Sequence, residues 1–259
     1  MTKHHPKKTG LILVIVLITS IKYGQTTTYN QFWNEIQFNR TINEKWSAEL
    51  NLGALYSSTE SSSNIFQQNI QRSARVWGHY YFSPRWKFSS FIAHNYNKDV
   101  PEIGHFKSPK VRFALQGIYY FHKTGYTLST RMRMELRHMR NEEKDYDNVR
   151  YRQQINYIQP INSKVLRESV VYAIASDELS FKSGTKVTGL SFFDNRLNLG
   201  AGYLFNDDIQ VEVTYANQYL LRDEENQIVN VASLTVTFNN LFKNLNKKLH
   251  HKNEASSED

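Results

Sequence analysis

The chain contains no cysteine. No disulfide framework can hold it together, and neither a thiol nucleophile nor a cysteine-bound zinc site is available. The residue on which a bacterial lipoprotein carries its lipid is missing as well, so attachment to a membrane would have to come from the fold itself. Beyond Ile21 there is also no apolar run approaching the roughly 20 residues that a spanning helix needs, which excludes a helical membrane protein.

The apolar run that does exist comes early. Lys3, His4, His5, Lys7 and Lys8 precede Leu11 to Ile18, and a polar stretch follows that ends Lys22, Tyr23, Gly24, Gln25. A basic segment, a short apolar segment and a small residue in that order are the layout of a secretory signal peptide, so residues 1–24 are expected to be one, cut between Gly24 and Gln25. The net charge of +8 says little about the remainder. Much of the basic excess lies in this segment and after Phe242, and an exported chain meets little nucleic acid.

Aromatic residues make up 14% of the chain, interspersed with Asn, Gln and Ser, the mixture expected of a barrel with aromatic girdles and a polar interior. Side chains alternate between the two faces of a strand, so a period of two is the signal to seek. From Tyr126 to Arg137 it is unbroken. Tyr126, Leu128, Thr130, Met132, Met134 and Leu136 fall on one face, and Thr127, Ser129, Arg131, Arg133, Glu135 and Arg137 on the other. Trp46 to Tyr56 and Ile209 to Tyr219 repeat the pattern. Weaker versions cover Phe32 to Arg40, Ile70 to Phe82, Trp86 to His94, Val111 to Phe121, Val149 to Ile158, Val165 to Ala175, Leu197 to Phe205 and Val229 to Phe238. Many of these runs exceed ten residues, which suits a tilted crossing of a bilayer better than a soluble sheet.

The expected fold is therefore all-β, a transmembrane antiparallel β-barrel of about 10–12 strands over residues 25–240, with a polar, solvated tail at residues 241–259. Short turns are expected at Asn43 and Glu44, Ser83 to Arg85, His122 to Gly125, Pro160 to Ser163 and Asn206 to Asp208. Longer loops are expected at Ser57 to Phe66, Asn95 to Lys110, Asn141 to Asn148, Asp177 to Leu190 and Leu221 to Gln227. Short turns on one rim and long loops on the other match the two ends of an outer-membrane barrel. Clusters such as Trp77, Tyr80, Tyr81, Phe82 with Trp86, and Tyr119, Tyr120, Phe121 with Tyr126, suit interfacial belts. Eleven runs is an odd number where bacterial single-chain barrels are even. A further strand within Leu179 to Thr188 would restore an even count at the expense of the turn alternation.

Three stretches, WNEIQFNRTINEKWSAELNL, STRMRMELRH followed by VRYRQQINYIQP, and FDNRLNLGAGYLFNDDIQVEVTYANQY, resemble the domain of unknown function 2490 family of uncharacterised outer-membrane barrels. The resemblance implies an outer-membrane location and brings no catalytic residue with it. Such a chain would have outer-membrane lipids and, during insertion, the barrel-assembly machinery as partners; its oligomeric state is open.

Alternation places Arg131, Arg133, Glu135 and Arg137 on one lumen-facing wall, with Arg150 and Arg152 on the next strand about 4.8 Å away. Glu35, Glu49, Arg75, Arg112, Arg167, Arg196 and Glu212 are candidates to join them. Two readings stand: a basic constriction that favours anions, or an Arg and Glu network that fills a narrow barrel. No cofactor or metal site is expected; His250 and His251 are the weak metal candidate. A lipid-modifying enzyme would need a nucleophile, a base and an orienting group. His79, His94, His105 and His138 with Ser73, Ser89, Ser90 or Ser108 supply the types without a diagnostic spacing, so no catalytic residue is assigned. A docking role for the outer loops is the third class.

Overall fold

The computed structural model describes residues 26–59, 61–98, 100, 108–140, 145–184, 187–222 and 225–240. The expected signal peptide and tail lie outside them. The described chain forms eleven strands: β1 (Thr26–Thr41), β2 (Trp46–Ser57), β3 (Gln68–Tyr81), β4 (Trp86–Asn97), β5 (Ser108–His122), β6 (Thr127–Arg140), β7 (Asp145–Pro160), β8 (Val170–Gly184), β9 (Val187–Leu204), β10 (Ile209–Leu220) and β11 (Asn226–Asn239). Each pairs with its neighbours in sequence, and β1 pairs with β11 to close a barrel.

The odd strand number dictates how the barrel closes. Successive strands reverse direction, so the first and eleventh run the same way, and their seam is parallel over Thr26↔Asn226 to Asn39↔Asn239. The fully antiparallel barrel expected from the sequence is corrected at this one seam. Side chains reinforce it: Asn230 Nδ2 donates to Asn30 Oδ1 at 3.1 Å, Thr237 Oγ1 to Gln37 Oε1 at 3.0 Å, and Phe38 stacks on Phe238 at 5.5 Å.

Local chemistry sets the short-turn rim. Asn43 accepts from the backbone N–H of Lys45 and Trp46 at 2.9 and 3.0 Å, Ser83 from Trp86 at 3.1 Å, and Asn206 from Asp208 and Ile209 at 2.9 and 2.8 Å. These side chains mimic a backbone turn and reverse the chain in few residues. Gly125 supplies the left-handed position of the β5–β6 turn at φ 81°. The fourth turn is longer than expected, because β8 begins at Val170 and not at Val165.

The opposite rim departs further from expectation. In the range expected as a loop, Asp177 to Leu190, β8 runs on to Gly184 and β9 starts at Val187. Here polar residues occupy both faces, which hides the period of two. Inward are Ser176, Glu178 and Ser180, all buried, while Asp177 on the outer face accepts from Asn195 Nδ2 at 2.7 Å. The loops expected at Asn95 to Lys110, Asn141 to Asn148 and Leu221 to Gln227 are shortened by β4, β5, β7 and β11.

Outside, the barrel exposes Ile36, Leu50, Leu52, Val76, Ile92, Phe113, Leu115, Met132, Met134, Leu136, Leu199 and Val213. Ring contacts border this band. Trp46 with Tyr80, Trp86 with Tyr119, Tyr126 with Tyr157 and Tyr203 with Phe205 lie beside the short turns. Phe32 and Tyr56 with Phe66, and Phe181 with Tyr151 and Phe192, lie toward the other rim. Trp77 does not belong to either belt; it is buried inside with Phe91, Ala93 and Ala114.

Candidate functional site: the arginine lattice of the lumen

On β6 the period of two separates two environments within one residue of each other. Met132, Met134 and Leu136 are exposed on the outer wall, whereas Arg133 and Glu135 are buried inside. Strand β7 continues the inner wall in register, with Arg133 opposite Arg152 and Glu135 opposite Arg150.

Glu135, only 1% exposed, is the hub. Arg137 donates to its Oε2 through Nε and Nη2 at 2.9 and 2.6 Å. Arg133 lies 3.5 Å away, Arg152 3.6 Å and Arg112 4.0 Å. One carboxylate among four guanidiniums stays in place because each separation is within ion-pair reach in a water-poor interior, where Coulomb attraction is strong. Glu178 on β8 is a second hub, paired with Arg131 and with Arg152 Nη1 at 3.2 Å. Arg133 also donates to Gln116 Oε1 at 2.9 and 2.6 Å. On the far side Arg75 pairs with Glu35 at 3.2 Å, and Glu35 accepts from Asn51 and Gln37.

Not every candidate joins. Arg150 sits toward the loop rim, its guanidinium 4.2 Å from the Phe193 ring centroid, where Lys182 and Arg222 also converge at 4.9 and 5.8 Å. Arg167 is exposed in the turn between β7 and β8, because that strand starts later than its alternation suggested. Glu212 accepts from Tyr172 and Gln210. Glu49 faces His79 Nε2 at 3.4 Å. Glu178 and the buried Asp194, which accepts from Ser180 at 3.1 Å, went unrecognised as lattice members, and the Ile174, Ser176, Glu178, Ser180 alternation was the signal for the first.

A cavity of about 420 Å³ occupies mid-lumen, lined from all eleven strands. Its two sides differ: β5 to β9 contribute Arg112, Arg131, Arg133, Glu135, Arg152, Glu178 and Arg196, while β10 and β11 contribute Thr214, Val231, Ser233 and Thr235.

Of the enzyme candidates, His79 Nδ1 lies 2.9 Å from Ser89 Oγ and its Nε2 faces Glu49. This gives a nucleophile, base and carboxylate in order, yet none of the three lines the cavity. Ser73 is buried, His94 is exposed on the outer face, and His138 pairs with Asp147 at 2.8 Å at the surface. Ser90 is half-buried on the outer face of β4. His105, His250, His251 and the Ser108 side chain lie outside the described residues.

A family model described as a protein of unknown function, DUF2490, matches residues 30–229, from β1 into β11. The chain belongs to this family. The DUF2490 match spans every arginine and glutamate of the lattice, whereas Val231, Ser233 and Thr235 of the cavity lining lie beyond it. No curated protein and no solved structure matches the chain.

Proposed function

We propose that this DUF2490 protein is an outer-membrane barrel whose lumen is obstructed by its own ion-pair lattice, so that it is not a general diffusion pore. The observation that carries this reading is the two-sided character of β6, exposed Met132, Met134 and Leu136 outside and the Glu135 hub inside. Apolar side chains facing outward around a closed sheet have water to avoid and no protein to pack on, and a bilayer meets that need without leaving a strand edge unpaired. The span fits. Trp46 and Tyr56 lie at opposite ends of β2, about 33 Å apart along the strand and about 25 Å along the axis of a barrel tilted near 40°.

Planar-bilayer recording of the purified protein tests the obstruction: little or no step conductance is expected, and large steady currents would overturn it. Surface labelling tests the location. Because the chain has no cysteine, Ser61→Cys in the β2–β3 loop should react with an impermeant maleimide on intact cells, whereas Glu44→Cys on the short-turn rim should react only after lysis. A protein recovered wholly in the soluble fraction overturns the membrane reading.

A second reading rests on the Ser89, His79, Glu49 contact, which has the order of a hydrolase relay. Release of fatty acid from labelled phospholipid by wild type and not by Ser89→Ala would establish it.

A further inference from the structure

The mid-lumen cavity holds more guanidinium than its carboxylates neutralise. Arg75, Arg112, Arg131, Arg133, Arg152 and Arg196 line it against Glu35, Glu135 and Glu178, a surplus of three positive charges. Three of these cations crowd one ring: Arg75, Arg112 and Arg133 lie 5.5, 5.9 and 5.7 Å from the Phe91 centroid. Like charges so placed repel each other, and the repulsion is weakly screened away from bulk water. Glu135 relieves Arg112 only in part, from 4.0 Å, because Arg137 holds it more closely at 2.6 Å. Arg196 donates to Gln218 at 2.5 Å; Glu178 stands opposite it in register, yet among the described residues no carboxylate forms a close ion pair with it.

Donor satisfaction points the same way. The Nε–H groups of Arg75, Arg112, Arg131, Arg152 and Arg196 are buried without an acceptor among the described residues. Buried donors are ordinarily paired, and an orphaned one forfeits its hydration without return. An oxyanion offers several acceptor lone pairs and negative charge together, and guanidinium recognises it in a fork geometry. The opposite wall of Thr214, Ser233 and Thr235 is neutral and hydroxyl-bearing, suited to the uncharged body of a small polar molecule. The volume, about 420 Å³, falls within the usual range for small-molecule sites. An approach exists as well. Arg150, Lys182 and Arg222 gather at Phe193 toward the loop rim, where the buried Asp194 offsets one of the three charges and leaves a net positive entrance that draws anions inward.

We propose that this cavity is a binding site for a small organic oxyanion, a carboxylate or phosphate monoester, entered from the loop rim, with Arg112 and Arg196 as the cations freest to engage it. Arg131, Arg133, Arg137 and Arg152 are committed to the two glutamate hubs and frame the site. The site rests on the proposed reading of the lumen as an arginine-lined interior.

Isothermal titration of the detergent-solubilised protein with succinate, and separately with inorganic phosphate, tests the proposal, with sodium chloride at matched ionic strength as the control. The expected result is saturable binding with Kd of about 1 mM or tighter, competition between the two anions, and no saturable heat from chloride. Arg112→Gln and Arg196→Gln should each weaken binding about tenfold, the equivalent of one lost charge-assisted contact, and Lys45→Gln on the short-turn rim should leave it unchanged. Heats that fail to saturate, fail to compete or are reproduced by chloride overturn the site, and this wild-type comparison decides even where a variant misfolds. Titration and conductance separate the two readings. A protein that conducts strongly yet binds saturably keeps the site and loses the obstruction, and one that is silent in bilayers and binds neither anion loses the site alone.

Discussion

Arg152 and Glu178 meet across the neighbouring strands β7 and β8, Nη1 3.2 Å from Oε1, and the same guanidinium turns its Nε toward Glu135 at 3.6 Å. One cation thus joins the two buried carboxylate hubs of the lumen. Removing one partner of a buried pair leaves an uncompensated charge, which costs about 3 to 5 kcal/mol, more than the pair is worth against an apolar replacement of both. Glu135 keeps Arg137 and Glu178 keeps Arg131, so Arg152→Met is expected to cost less than that full amount, about 1 to 3 kcal/mol for the lost charge-assisted contacts, in urea titrations of the protein in lipid vesicles. Arg152→Lys should fall between, because a single ammonium cannot fork to two acceptors. Equal stability of Arg152→Met and wild type would show that the hubs do not depend on this bridge.

The two faces of β6 give a second comparison. Met134 is 45% exposed on the outer wall and Arg133 is buried on the inner one. In a bilayer, Met134→Arg has to dehydrate a charge and should cost about 2 to 4 kcal/mol near the midplane. Arg133→Met relieves a crowded cation and should cost less, although Gln116 loses its donor. The same titrations measure both, and equal costs would contradict either the membrane or the register.

Much of this was legible in the sequence, and the limits have physical causes. Tyr126 to Arg137 reads plainly because apolar and charged residues segregate onto opposite faces. So do β2 and β10. The stretch around Asp177 and Asn195 does not, because these two satisfy each other on the outer face while Ser176 and Ser180 fill the inner one, and binary patterning has nothing to separate there. The parallel seam follows from an odd count, but pairing between the first and last strands is a long-range property that no local pattern carries. Within the lattice, Arg131, Arg133, Glu135 and Arg152 were visible by alternation. Which carboxylate serves which arginine depends on register between strands: Glu35 reaches Arg75 from β1 to β3 across Asn51, a relation fixed only once both pairings are known.

One inner-wall feature predicts a sharp steric effect. A Cβ on Gly202 would run into the Tyr172 ring, whose hydroxyl donates to Glu212 at 2.8 Å and accepts from Gln210 at 2.7 Å. Gly202→Ala should displace that ring and cost about 1 to 3 kcal/mol, typical of overpacking. Tyr172→Ala makes room, so the double variant should be more stable than the two single costs predict when added. Simple additivity would mean that the ring and the glycine do not touch.

The parallel seam can be tested by cross-linking, helped by the absence of cysteine. Asn34 pairs with Leu234 in register on the outer face of β1 and β11, and neighbouring strands lie about 4.8 Å apart, within the span a disulfide bridges. Asn34→Cys with Leu234→Cys should form an intramolecular bond on mild oxidation, seen as a reducible shift in gel mobility. Asn34→Cys with Val229→Cys, five positions from register, should not. The opposite pattern would mean that the barrel closes in another register or not through this pair.

The final prediction concerns Glu135 and separates an obstructed lumen from an open one. In an open, arginine-lined path Glu135 would be a local negative charge that tempers anion preference, and Glu135→Gln would raise anion selectivity with little loss of stability. In the lattice observed, four guanidiniums lie within 4.0 Å of that carboxylate, and neutralising it leaves them facing one another. Glu135→Gln is then expected to destabilise the barrel by about 3 to 5 kcal/mol, the usual cost of breaking a buried ion-pair group from one side. Repulsion among Arg112, Arg133, Arg137 and Arg152 would also loosen the side chains that fill the lumen, so brief anion-selective openings should appear in bilayers where wild type stays silent. Parallel measurement of stability and current on the same preparation decides the matter. A stable Glu135→Gln protein with currents like those of a conducting wild type would place the arginines along an open channel, and the lattice would have to be read as its lining.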